Sequence, residues 1–159
     1  DEVPSRGLGD VYKRQCLGAQ MLAKNLGGSV QKSHDLTLEI GFFDINPTGD
    51  GHKMFQSQKK FFQWHREGFT VPKSCEILAN GDLFREQAFR YKNALAIQFH
   101  PEVNLKMHLR WLYYAGYMLK EKGAQNRREQ LTHRLKHGKK INLWLDSFLD
   151  NYLLKDINS

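Results

Sequence analysis

The sequence predicts an α/β fold with a parallel sheet and a helical tail. Apolar residues recur first with helical spacing, then with strand spacing over several short segments, and then again with helical spacing. The composition, with 40% hydrophobic and 26% charged residues in a chain of 159, is ordinary for one soluble domain or part of one. The order helix, strands, helices is what an α/β fold with an added helical tail requires.

The first predicted helix follows Cys16. Apolar residues recur with helical spacing between positions 19 and 26, and Gly27-Gly28 supplies the left-handed stop that often ends a helix. Five strand-like segments come next, and the turn Asn80-Gly81-Asp82 between two of them predicts a hairpin. The predicted strands are residues 36–45, 60–65, 76–79, 87–91 and 94–99.

The helical tail begins beyond Pro101. Apolar and aromatic side chains recur at three- and four-residue spacings in residues 105–122 and again in residues 142–154. We expect the first of these helices to cover the sheet or to form the surface that docks a partner subunit.

Composition and charge exclude several classes of protein. No run of 18 apolar residues occurs and the N-terminus lacks the apolar core of a signal peptide, so we expect no membrane span. The two cysteines, Cys16 and Cys75, are too few for a disulfide scaffold and fit a reducing, cytoplasmic location.

The net charge of +7 comes mainly from one short stretch. Residues 120–140 carry 8 basic and 2 acidic side chains, whereas residues 16–119 carry 12 and 9. We therefore expect a solvated helix face here and no nucleic-acid partner. The alternative is that this patch binds RNA or an acidic partner. His133 and His137 have the i, i+4 spacing of metal ligands, but no third ligand accompanies them, and the sequence predicts neither a metal nor another cofactor.

The segment Cys16-Leu17-Gly18-Ala19-Gln20 stands immediately before the first helix. The partial positive charge of a helix N-terminus favours the thiolate form of a cysteine placed there. Gly18 lets a substrate approach the backbone, and the N–H of Leu17 would point to where an oxyanion forms. The alternative for Cys16 alone is a cysteine that only packs.

The segment Gln98-Phe99-His100-Pro101-Glu102-Val103 directly follows an apolar strand. His100 can take a proton from a thiol and return it to a leaving amine, and Glu102 can bind the other ring nitrogen. The alternative is a strand-end histidine beside a surface glutamate. A cysteine, a histidine and a glutamate that each stand at an element boundary favour a catalytic triad.

These motifs resemble those of the class I (triad) glutamine amidotransferases, in particular the stand-alone subgroup similar to the glutaminase domain of GMP synthase. The resemblance covers about residues 16–103. It implies a flavodoxin-like or Rossmann-like parallel sheet of this family's type, of which the chain would be the C-terminal part. The segments that carry it are Cys16–Gln20, Leu26–Gly28, Glu39–Gly41, Gln63–His65, Gln87–Tyr91 and Gln98–Val103.

The resemblance implies hydrolysis of the glutamine side-chain amide to glutamate and ammonia through a γ-glutamyl thioester. It makes Cys16 the nucleophile, His100 the general base and acid, and Glu102 the group that orients His100. It also implies substrate contacts from the backbone of Leu17 and from Gln20, Trp64 and His65. The alternative for His65 is a histidine packed in its strand.

The implied partners are glutamine or another γ-glutamyl compound and a separate synthase subunit that accepts ammonia. The sequence contains no Ser-Gly-Gly-x-Asp-Ser pyrophosphatase loop, so we expect the ammonia acceptor to lie on another protein. Two alternatives remain, namely a γ-glutamyl peptidase with the same triad and a degenerate relative kept for binding.

Two features depart from the family's pattern. Family members have a glycine two residues before the nucleophile, where this chain has Arg14, and several upstream strands with a Gly-rich loop that supplies a second oxyanion N–H. The region before Cys16 also resembles a translated library adaptor. We therefore predict a foreign segment at 1–15, a partial amidotransferase domain at 16–122 and a helical C-terminal extension at 123–159. We expect such a fragment to be nearly inactive and prone to aggregation.

Overall fold

The computed structural model describes residues 16–152. The predicted foreign segment 1–15 lies outside the described residues, as do residues 153–159. Helix α1 (Leu17–Asn25) begins directly after Cys16, and the chain leaves it through Gly27, whose φ is 93°. The predicted first helix and its glycine stop are both confirmed.

Between α1 and the helical tail, the described residues form eight strands and one short helix. The strand predicted at 60–65 has the predicted bounds, and those predicted at 76–79, 87–91 and 94–99 are correct to within two residues. The strands are β1 (Val30–Lys32), β2 (Glu39–Asp44), β3 (Asn46–Pro47), β4 (Lys60–His65), β5 (Glu67–Phe69), β6 (Glu76–Asn80), β7 (Glu86–Tyr91) and β8 (Ala94–Ile97), and helix α2 (Gly51–Met54) lies between β3 and β4.

The strands form two sheets. In the six-stranded sheet the order is β1-β5-β7-β6-β3, with β8 also paired to β7, and β2 pairs with β4 in a separate two-stranded sheet. Every pair between these strands is antiparallel, which differs from the parallel pairing that we predicted. The reason is that parallel neighbours need a long crossover, whereas residues 81–85 join β6 to β7 in the predicted hairpin and residues 92–93 join β7 to β8.

The helical tail contains α3 (Leu105–Tyr114), a 3₁₀ helix (Gly116–Lys120) and α4 (Arg127–Tyr152). The single helix predicted for residues 105–122 is therefore wrong, because the chain turns at Ala115. Helix α4 begins far ahead of the predicted position 142. The prediction missed this start because the first turns of the helix are mostly polar and carry little apolar periodicity. Among residues 16–152, none of the helices combines the length and apolar character needed to cross a bilayer.

Helix α4 belongs to the main core. Trp144 and Phe148 are buried there with Phe55 and Phe61. The Trp144 indole stacks on Phe55, with ring centroids 5.5 Å apart, and its N–H donates to the carbonyl of Met54 at 2.9 Å. The predicted extension therefore packs as part of the folded body.

The segment before α4 extends the edge of β2. The side-chain amide of Gln125 accepts from the N–H of Phe42 and donates to its carbonyl, both at 2.9 Å, as a neighbouring strand would. The backbone N–H of Gln125 also donates to Ile40. A side chain at Gly41, whose φ is 134°, would overlap Gln125, so the close approach requires glycine at this position.

Candidate active site

Cys16 has a strained backbone directly before helix α1 and lies beside the end of strand β8. Its φ of 47° and ψ of −99° lie in a region that residues with a side chain avoid. Its N–H donates to the carbonyl of Ile97 at 2.9 Å, and its carbonyl accepts from the N–H of Gln20 at 3.0 Å. These two bonds fix the thiol at the end of β8, where His100 also lies.

His100 is held by contacts from three directions. Its backbone N–H donates to the carbonyl of Phe62 on β4 at 2.8 Å, and its ring Nδ1 lies 2.8 Å from Oε1 of Glu102. The ring of Trp111 on α3 meets the imidazole edge-on, with centroids 5.2 Å apart and an interplanar angle of 85°. Since Nδ1 is engaged by Glu102, Nε2 is the ring nitrogen left to hydrogen bond with Cys16.

The surroundings of His100 favour its charged form. Burial lowers the pKa of His100, but hydrogen bonds and charge interactions with Cys16 and Glu102 outweigh burial and raise the pKa to about 9. An imidazolium beside a cysteine favours the thiolate, which is the nucleophilic form. The structure thus brings together the three predicted triad residues, and their arrangement suits nucleophilic attack followed by proton transfer.

Gln98 is a residue of the site to which the sequence analysis assigned no role. It is fully buried, its Nε2 donates to Sγ of Cys16 at 3.4 Å, and its Oε1 accepts from Gln20 at 3.4 Å. The spacing of two residues between Gln98 and His100 in an extended segment could have indicated it, because such residues lie on one side of the chain.

The two predicted substrate contacts near Cys16, Leu17 and Gln20, both lie on α1. Leu17 is the first residue of α1, so its N–H has no acceptor within the helix, as a donor to an oxyanion requires. Gln20 is buried, and its Nε2 donates to the carbonyl of Glu67 at 2.8 Å as well as to Gln98. The contact of Gln20 with substrate remains a prediction.

His65 lies in a buried polar network. It is 5% exposed, its Nδ1 lies 3.0 Å from the carbonyl of Glu67, and its Nε2 lies 3.1 Å from both Gln63 Oε1 and Glu39 Oε2. Gln87 completes the network by accepting from Gln63 and donating to Glu39. With both ring nitrogens engaged, the geometry favours the alternative of a histidine packed in its strand.

Trp64 lies on the opposite side of β4 and lines an open groove. Its ring meets that of Trp111 edge-on, with centroids 5.6 Å apart, and Trp111 in turn contacts His100. The groove has a volume of about 450 Å³ and adjoins the candidate triad through Trp111. Its lining residues are Trp64, Met107, Arg110, Trp111, Tyr114 and Ala115.

Residues 16–115 match the family model described as "Glutamine amidotransferase class-I". The chain is 34% identical over 94 residues to the glutamine-hydrolysing GMP synthase subunit of Methanobrevibacter smithii, and the match covers 56% of this chain and 48% of that protein. It is also 34% identical over 99 residues to the protein of the same name from Methanosphaera stadtmanae, covering 55% and 49%. The chain spans about half the length of the curated relatives it matches.

Solved structures share the fold. A glutamine amidotransferase from Thermotoga maritima is 27% identical, with a TM-score of 0.75, and the match covers 91% of this chain and 66% of that one. A second, from Methylobacillus flagellatus, is 21% identical, with a TM-score of 0.78 and coverage of 91% and 65%. The predicted fold class, that of the class I amidotransferases with a helical tail, is confirmed.

Proposed function

Because the chain belongs to the class I glutamine amidotransferase family, we propose that it hydrolyses the side-chain amide of glutamine to glutamate and ammonia. The observation that carries this proposal is the meeting of Cys16, at a helix N-terminus, with His100, whose other ring nitrogen is bound by Glu102. Glutamine hydrolysis requires a nucleophile, a proton carrier and an anion-binding backbone at one place.

In the first half of the proposed reaction, Sγ of Cys16 attacks the side-chain carbonyl carbon of glutamine. The carbonyl electron pair moves onto oxygen, and the resulting oxyanion faces the N–H of Leu17. His100 holds the thiol proton and delivers it to the amide nitrogen as the C–N bond breaks. Ammonia leaves, and the γ-glutamyl group remains on Cys16 as a thioester.

Water completes the proposed reaction. His100 takes a proton from the attacking water, whose oxygen forms a bond to the thioester carbon. The C–S bond then breaks and returns the electron pair to sulfur, so that glutamate leaves and the Cys16–His100 pair is restored. Glu102 keeps the ring of His100 in one orientation throughout.

We also propose that the ammonia is used by a separate synthase subunit. Support comes from the curated relatives, which are named as one subunit of a glutamine-hydrolysing GMP synthase. Co-purification of the chain with a synthase subunit from the same genome, and glutamine-dependent synthesis by the mixture, would test this part.

The test of the glutaminase proposal is covalent labelling, which requires no turnover. A chloroketone analogue of glutamine should label Cys16 stoichiometrically, and excess glutamine should protect it. Cys75, the other free cysteine, provides a matched internal control, so Cys75→Ala should label fully and Cys16→Ala should not. Equal labelling of both cysteines, or labelling unaffected by glutamine, would contradict the proposal. Glutamate release in the same samples measures turnover.

The groove beside His100 favours a second candidate, hydrolysis of a γ-glutamyl amide with a larger amine. Its aromatic walls could hold an apolar leaving group next to the general acid. Hydrolysis of glutamine and of a γ-glutamyl aromatic dipeptide should be compared in Tyr114→Ala, because Tyr114 lines the groove and is otherwise exposed. A loss of hydrolysis rate with the dipeptide alone supports this candidate, and unchanged rates with both compounds exclude it. If neither compound reacts or protects Cys16, the degenerate binding protein is favoured.

A further inference from the structure

Arg134 is a buried charge outside the part of the chain that matches the family model. It is 4% exposed and lies on α4, whereas the family match ends at residue 115. Its guanidinium carbon lies 4.8 Å from the ring centroid of Phe42 and 5.1 Å from that of Phe62. Phe62 is also the residue whose carbonyl accepts the N–H of His100, so Arg134 packs directly behind the strand that holds the candidate base.

One side of the guanidinium is bound by a neutral histidine. Nε of Arg134 donates to Nδ1 of His108 at 3.3 Å, and Nε2 of His108 lies 2.9 Å from Oε1 of Gln130. Burial lowers the pKa of His108 to about 4, so the ring accepts at Nδ1 and donates at Nε2 at neutral pH. His108 therefore orients Arg134 without neutralising its charge.

The other side of the guanidinium lacks hydrogen-bond acceptors, and the second oxygen of Glu102 lacks a donor. Nη1 and Nη2 of Arg134 are buried and have no hydrogen-bond partner within residues 16–152, and the same holds for Oε2 of Glu102. Burial lowers the pKa of Arg134 to about 10, and the charge of Glu102 opposes this effect. Buried atoms of opposite charge that have no other hydrogen-bond partner stabilise each other.

We propose that Arg134 is a positioning residue of the triad, whose charge keeps the Glu102 carboxylate directed at His100. Without that charge Glu102 is held less firmly against Nδ1, and His100 loses part of the acceptor that supports its imidazolium. The ionisable groups around this pair are His100 beside Glu102, His108 on α3, and His133, which packs on Phe42 from the same helix as Arg134. The inference requires the triad but not a particular amide substrate.

The experiment measures the alkylation rate of Cys16 by iodoacetamide between pH 4 and 9, in a Cys75→Ser background. We expect Arg134→Met to move the acid limb of the rate profile upward by roughly one pH unit, because a His100 imidazolium that Glu102 supports less well stabilises the Cys16 thiolate less. Arg134→Lys, which keeps the charge, should restore most of the wild-type profile. Arg128→Met removes an exposed positive charge from the same helix and should leave the profile unchanged.

A second set of variants separates this role from a general loss of packing. In a Glu102→Gln background, Arg134→Met should cause no additional shift, because the carboxylate on which it acts is gone. If Arg134→Met does not fold, as judged by circular dichroism, Arg134→Gln takes its place. An unchanged profile, an equal shift in Arg128→Met, or a shift that persists with Glu102→Gln would overturn the proposal. Because alkylation uses no amide, the result is independent of glutamine hydrolysis.

Discussion

The backbone of Cys16 adopts φ of 47° and ψ of −99°, where a Cβ atom is crowded by neighbouring backbone atoms. Strain of this kind costs on the order of 1–3 kcal/mol and is retained where a side chain must be presented in one direction. At Cys16 the direction is toward His100 and Gln98, so the strain accompanies the chemistry of the site.

This strain predicts that Cys16→Gly is more stable than Cys16→Ala. Both substitutions remove Sγ, but only glycine relieves the crowding of Cβ, so the free energy of unfolding should differ by about 1 kcal/mol. Urea denaturation of the two variants measures the difference. Equal midpoints, or a more stable alanine variant, would show that the turn is unstrained.

Glu102 provides a second test at the scale of one residue. Glu102→Gln removes a charge that raises the pKa of His100 and replaces an acceptor with an amide of ambiguous orientation. We expect the glutamine chloroketone to label Cys16 more slowly, by roughly tenfold for each unit by which the pKa of His100, followed by NMR, falls. Glu121→Gln, at an exposed position, is the matched control. A wild-type rate in Glu102→Gln would remove Glu102 from the triad.

At the scale of the element, the loop after α1 approaches the strand region very closely. A Cβ on Gly28 would overlap the carbonyl oxygen of Thr70, whereas a Cβ on Gly27 would meet open space at a φ of 93°. We expect Gly28→Ala to cost at least ~3 kcal/mol of unfolding free energy, and Gly27→Ala ~1 kcal/mol. Chemical denaturation compares the two. Similar losses in both would mean that the loop simply moves away from Thr70.

Helix α4 is an integral part of the fold, and Trp144 tests this. Trp144→Ala should lower the free energy of unfolding by about 3–5 kcal/mol, because it opens the core beside Phe55 and Phe61 and removes the bond to Met54. Leu143→Ala, at the neighbouring exposed position, should cost less than about 0.5 kcal/mol. If both variants melt like wild type, the helix is a separate appendage.

At the scale of the molecule, His108, which is buried, and His100, which is mostly buried, set opposite limits on stability. Burial lowers the pKa of His108 from 6.5 to about 4, so its contribution is complete above pH 6.5 and is lost as the pH falls through 4. The pKa of His100 is raised despite burial, by Cys16 and Glu102, to about 9, so its contribution is complete below pH 6.5 and is lost as the pH rises through 9.

We therefore expect stability to be greatest near pH 6.5. On the acid side the free energy of unfolding should fall with a slope approaching about 1.4 kcal/mol per pH unit for one proton. His108→Gln should flatten this slope, and His52→Gln, at an exposed position, should not. The lowered pKa values of Asp35, due to Lys122, and of Asp50, due to Arg90, affect stability only below about pH 4. A slope that is unchanged in His108→Gln would contradict this assignment.

The local signals in the sequence located most of the elements and indicated the three candidate triad residues, which the structure brings together. Helix α1, strand β4 and the hairpin between β6 and β7 follow from spacing and turn residues, which act between near neighbours. Cys16, His100 and Glu102 could be found because each stands at an element boundary beside a recognisable motif. The short strands β1 and β5 and the polar start of α4 lack such a pattern.

The sequence by itself thus determined the family, the order of most elements and the candidate triad residues. Only the tertiary structure decided the antiparallel pairing, the burial of His65 among Glu39 and its neighbours, and the place of Arg134 behind the candidate triad. The physical reason is that burial and through-space charge depend on residues far apart in the chain. A buried arginine and a solvated one have the same appearance in a sequence, and the surrounding packing alone distinguishes them.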